Sequence, residues 1–131
     1  MKLLYILIVT SIFLYSCKDM GNEPTPTVII PPDTTVSTIS FQSDVIPIFN
    51  KYGCIGCHGG SGGLNLGTVN ELKTTGIHTP VIVSGNGAGS ILITKMRGTA
   101  GFGTIMPPGN SATENEIAKI SLWIDQGAKD N

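Results

Sequence analysis

The stretch "NKYGCIGCHGG", Asn50 to Gly60, holds two of the chain's three cysteines and one of its two histidines. Cys54 and Cys57 stand three residues apart, so on a single helical turn their thiols share a face. His58 follows immediately and adds an imidazole. Glycines flank the cluster on both sides and let the backbone approach a partner closely. Two thiols and an imidazole within five residues suit several chemistries, and the rest of the chain must decide among them.

A zinc site takes about four ligands. Cys54, Cys57, His58 and His78 supply that number, but adjacent Cys57 and His58 do not match the usual paired spacing. A thiol–disulfide exchange site also uses C-x-x-C, on a fold in which the cysteines follow a strand. Here the preceding residues read as a helix. A plain disulfide leaves His58 unexplained. C-x-x-C-H as a whole is the pattern of covalent c-type haem attachment. In that reading the two thiols reach two vinyl groups on one porphyrin edge, and the imidazole of His58 faces the iron. The other ring nitrogen is ordinarily fixed by a hydrogen bond.

A haem bound on both faces needs a second axial donor, and Met20, Met96, Met106 and His78 are the candidates. Met20 lies in a proline-rich stretch. Met96 sits four residues after Leu92, which is core spacing. Met106 lies in "TIMPPGN", where Pro107 and Pro108 forbid helix continuation and stiffen the backbone. A thioether on a stiff loop suits iron ligation, so Met106 is the expected donor.

Around this centre the chain is small, with 131 residues, 17 glycines and a formal net charge of −1. From Ile39 onward six basic side chains balance six acidic ones, which excludes the basic footprint of a nucleic-acid binder. A domain of this size commonly relies on a staple. The N-terminus reads differently. Lys2 precedes the apolar run "LLYILIVTSIFLY", which has the length of a signal peptide and is short for a spanning helix. It ends in "LYSC", which resembles a bacterial lipobox despite its unusual tyrosine, so residues 1–16 are expected to be a lipoprotein signal and Cys17 the lipidated residue. Residues 17–38, with Pro24, Pro26, Pro31 and Pro32, read as a semi-rigid tether.

Residues 39–131 read as the folded domain. Ser40 is placed to cap a helix carrying Phe41, Val45, Ile48 and Phe49, bent or shortened at Pro47 and ending near Tyr52-Gly53. "SILITKMR", Ser90 to Arg97, predicts a short capped helix. "TENEIAKISLWIDQGA" predicts the clearest helix, with a Thr113–Glu116 capping box, an apolar stripe of Ile117, Ile120 and Ile124, and a stop at Gly127. "VIVSGNGAGS" lacks the third spaced glycine and the βαβ setting of a dinucleotide fingerprint. Trp123 is expected in the core, Tyr52 to pack or to wall the haem, and Lys95 and Arg97 to lie at the surface or beside haem propionates.

Taken together, "FQSDVIPIFNKYGCIGCHGG", "GGLNL", "VIVSGNGAGSILITKMRG", "MPPGN" and "TENEIAKISLWIDQGA" resemble a class I c-type cytochrome. They are most similar to the small cytochrome domains of planctomycete and Bacteroidetes-type exported proteins. The likeness spans Phe41 to Ala128, with "SGNGAGS" replacing a more common proline-bearing turn. It implies an all-α cytochrome c fold of three to four helices with long Gly-rich loops around one covalent haem c. It also implies Cys54 and Cys57 as thioether links and His58 and Met106 as axial ligands. The expected function is single-electron transfer at the cell envelope, without enzymatic activity. The expected partners are a redox protein and, through the lipid, a membrane. The alternatives are a haem-based small-ligand sensor or peroxidase-like enzyme, and a C-x-x-C dithiol or zinc protein.

Overall fold

A computed structural model describes residues 37–60 and 63–131. The expectations placed on residues 1–36, including the signal segment, Cys17 and most of the tether, lie outside the described residues. The described part is all-α. It has no β-strand; one isolated antiparallel bridge pairs Gly59 with Asn65.

The chain enters through a π-helical turn, Phe41–Val45, which leads directly into α1, Ile46–Lys51. Ser40 caps the turn as expected, accepting from the Ser43 amide at 3.2 Å, while Asp44 accepts from the Ser40 amide at 2.9 Å. Pro47 falls at the start of α1, where its missing N–H removes little. The helix therefore passes the proline by changing from the wide to the ordinary turn. The Asn131 side chain accepts from the Phe41 amide at 3.1 Å and its carbonyl from the Gln42 amide at 3.1 Å, satisfying two otherwise unpaired donors. Gly53, at φ +67°, reverses the chain after α1 and opens α2, the single turn Cys54–Cys57.

Two further short helices follow, α3 at Val69–Thr74 and α4 at Ile91–Arg97. The helix α3 is additional to those predicted. Ser90 precedes α4, but its side chain does not cap the helix. It is fully buried, accepting from the Val83 amide at 2.9 Å and donating to the Asn86 carbonyl at 2.7 Å. It thereby closes the glycine turn that feeds the helix. The last and longest helix, α5, spans Glu114–Asp125, carries both halves of the Thr113–Glu116 capping box, and is followed by Gly127 at φ +104°.

The core forms where α5 packs on the π turn and on α4. Ile117, Ile120 and Ile124 are buried on its inner face, and Trp123 is buried with them, in the core as expected. The Trp123 ring stacks on Phe41 at 5.1 Å, and its indole N–H donates to the Lys129 carbonyl at 2.9 Å. Both polar and apolar demands of the ring are thus met. Truncating a buried tryptophan costs about 3–5 kcal/mol, a large share of a small domain's stability. Trp123→Ala is expected to lower the urea midpoint correspondingly, whereas truncating exposed Leu122 leaves it nearly unchanged.

Candidate functional site

One cavity of about 720 Å³ opens in the described domain, within the roughly 300–1,000 Å³ range of small-molecule sites. Cys54, Cys57, His58 and Met106 all line it. They come from two stretches about fifty residues apart in the chain. Its other walls are mainly apolar, with Phe49, Leu64, Leu66, Val81, Ile91 and Leu92 among them.

Local backbone bonds fix the cysteine turn. The Cys57 amide donates to the Gly53 carbonyl at 3.2 Å, and the His58 amide to the Cys54 carbonyl at 2.7 Å. The His58 carbonyl accepts from the Leu66 amide at 3.0 Å, which ties the histidine to the second wall. There the side chains alternate. Leu64 and Leu66 line the cavity, while the Asn65 amide group donates to Glu71 at 2.6 Å. That carboxylate sits beside Thr68, the side-chain cap of α3, so the unpredicted helix braces the "GGLNL" segment.

Cys54 is half-buried and Cys57 exposed, and both are free thiols. Burial, with the neighbouring Cys57 adding, pushes the Cys54 thiol above its ordinary value. An exchange cysteine needs the opposite shift, toward thiolate. Among the described residues no group of three or more His, Cys, Asp and Glu is placed to hold a metal ion, so the four residues weighed for zinc do not converge. The pair His58 and Met106 lies outside that kind of cluster, because one donor is a thioether.

His58 Nδ1 is buried and makes no hydrogen bond, the one buried side-chain nitrogen or oxygen in that condition among the described residues. Such a group is costly unless something other than the polypeptide engages the ring or its surroundings. The donor set, the cavity volume and the apolar walls fit a covalently held haem. The missing Nδ1 acceptor departs from the usual arrangement around a metal-bound histidine.

The remaining candidates divide. Met96 is 4% exposed and packs in the core, although it also borders the cavity. His78 is exposed at the cavity's edge, with its ring 4.1 Å from that of Phe102. Arg97 is drawn away to Glu114, whereas Lys95 lines the cavity. Trp123 does not border it.

Tyr52 is a wall residue held from a distance. Its hydroxyl donates to Glu116 at 2.7 Å, the same carboxylate that completes the capping box and accepts from Lys51 at 2.7 Å. Lys51 foremost, then Tyr52 and Thr113, hold the Glu116 carboxyl at about 2, below its ordinary 4.5. A carboxyl depressed on folding stabilises the protein above its ordinary value and loses that contribution as pH falls through the folded one. Urea midpoints are therefore expected to fall between about pH 4.5 and 2, and Glu116→Gln to flatten part of that slope. Glu114, lowered by Arg97, titrates in the same direction and leaves a remainder.

No protein-family model, curated protein or solved structure matches the chain.

Proposed function

We propose that the chain is a monohaem c-type cytochrome that carries single electrons at the cell envelope, tethered through a lipid on Cys17. The observation that carries this reading is the gathering of Cys54, Cys57, His58 and Met106 around one largely apolar cavity of about 720 Å³. No aspartate or glutamate is among the residues that line the cavity. When bound, the haem supplies one-electron Fe(III)/Fe(II) exchange.

The residues divide the remaining work. Cys54 and Cys57 attach the cofactor, so an exported protein does not lose it. His58 and Met106 would be the protein donors to its iron, one imidazole and one thioether from the walls of the same cavity. Leu64, Leu66, Ile91 and Leu92 give the cavity apolar walls that would exclude water from a bound haem, and low local polarity with a thioether donor would raise its reduction potential. Electrons would pass to and from a redox partner without a bond being formed to the iron.

Absorption spectroscopy of protein matured in a cytochrome c-competent host tests this. A low-spin ferric spectrum with the weak long-wavelength iron–sulfur band is expected. A second reading, a small-ligand sensor or peroxidase-like enzyme, rests on His78 at the cavity's edge. High-spin ferric haem at neutral pH favours it.

A further inference from the structure

The segment that delivers Met106 accepts side-chain hydrogen bonds from a single residue. Residues 98–106 read "GTAGFGTIM" and contain no regular structure. Gly98, Gly101 and Gly103 all take positive φ. Residues Gly101 to Ile105 are exposed, and the clearest apolar contact among them is the Phe102 ring on that of His78. From Ala100 to Ile105 the hydrogen bonds of the described residues come from a single donor. The Lys95 ammonium donates to the Phe102 carbonyl at 2.9 Å and to the Thr104 carbonyl. It also lies 5.0 Å from the centre of the Phe102 ring. At the far end, the Met106 amide donates to the Lys95 carbonyl at 3.0 Å. One residue on α4 therefore holds both the middle and the end of the loop.

We propose that Lys95 is the latch of the methionine loop: its two bonds to loop carbonyls keep Met106 presented to the cavity and restrain it from leaving the iron. The inference rests on the reading of Met106 as an axial ligand. Lys95 is a positioning residue in this account and touches no iron. Its charge makes the bonds to neutral carbonyls stronger than ordinary ones, and no other group of the described loop replaces them. Gly103 belongs to the same device, because a Cβ there would stand 3.1 Å from the ammonium.

The test uses the intact ferric holoprotein and imidazole as an added ligand. Imidazole binds only when Met106 departs, so its binding rate, read from loss of the iron–sulfur band, reports loop opening. Lys95→Leu keeps an aliphatic stem, removes the donor and adds no thioether beside the cavity. It is expected to accelerate binding about tenfold or more, the factor for losing a net hydrogen bond made by a charged group. Lys95→Gln is expected to do the same and stands in if the first variant does not fold. Lys119→Met removes an equal charge from α5 and is expected to leave the rate unchanged. A merely structural role for Lys95 lowers the melting temperature without moving this rate. The band present and the rate unchanged in the Lys95 variants overturns the latch while leaving the cytochrome reading intact. So does equal acceleration by Lys119→Met. Absence of the band from the unsubstituted haem protein overturns Met106 ligation and the latch together.

Discussion

Protein in which both Cys54 and Cys57 are replaced by serine leaves a cytochrome c-competent host with no covalently attached haem. A serine hydroxyl forms no thioether, and no other described cysteine is available to substitute. Either single replacement leaves one possible link, so its loss should be partial. The effect reaches the fold as well. Leu64, Leu66, Ile91 and Leu92 border a cavity of about 720 Å³, and without an occupant these walls face water or collapse. A domain this small has little stability to spare. The double variant is therefore expected to lose its cooperative thermal transition, followed by circular dichroism. A variant without haem that melts as sharply and as high as the parent would show that the cavity needs no occupant.

Met106→Ala is expected to produce the second large effect, and it separates attachment from ligation. The haem stays covalently bound, because Cys54, Cys57 and His58 are untouched. The ferric protein loses its iron–sulfur band, and the reduction potential falls with removal of the thioether. Added cyanide binds faster, since no protein donor must first depart. Met96 provides the control. It borders the same cavity but is 4% exposed and packed with the core. Met96→Leu nearly conserves volume, so the band is expected to persist. Loss of the band in Met96→Leu with retention in Met106→Ala would reverse the assignment.

The grouping of Cys54, Cys57 and His58 on one cavity wall was legible because it is local, set by three neighbouring positions of a single turn. Met106, singled out by the two prolines that follow it, lines the same cavity, and its role as a donor belongs to the proposal. The helix from Glu114 to Asp125 announces itself through its capping box and a stripe long enough to show a period. The helix Val69–Thr74 was missed although Thr68 and Glu71 form the same T-x-x-E pattern. Its six residues offer two buried side chains, Val69 and Leu72, too few to reveal a periodicity. Ser90 looked like a helix cap because caps and turns use the same hydroxyl chemistry. The competition was decided by the neighbouring Val83 amide and Asn86 carbonyl.

Long-range partnerships were beyond local reading. Glu116 reaches Tyr52 across 64 positions, and nothing in the capping-box pattern indicates that its carboxylate has capacity for a distant hydroxyl and an ammonium. Lys95 looked like a surface charge or a propionate partner. Its role depends on loop carbonyls, which carry no side-chain signature. Arg97, only two residues away, turns instead to Glu114, because successive helical positions point to different sides.

The central claim is that Cys54 and Cys57 carry a haem. Purified, correctly matured protein, denatured in alkaline pyridine and reduced, tests it most directly. The account predicts a haemochrome spectrum of the c type, with about one haem per chain, that remains with the polypeptide after acidic organic extraction. No haemochrome, or haem that extracts freely into the solvent, would contradict it.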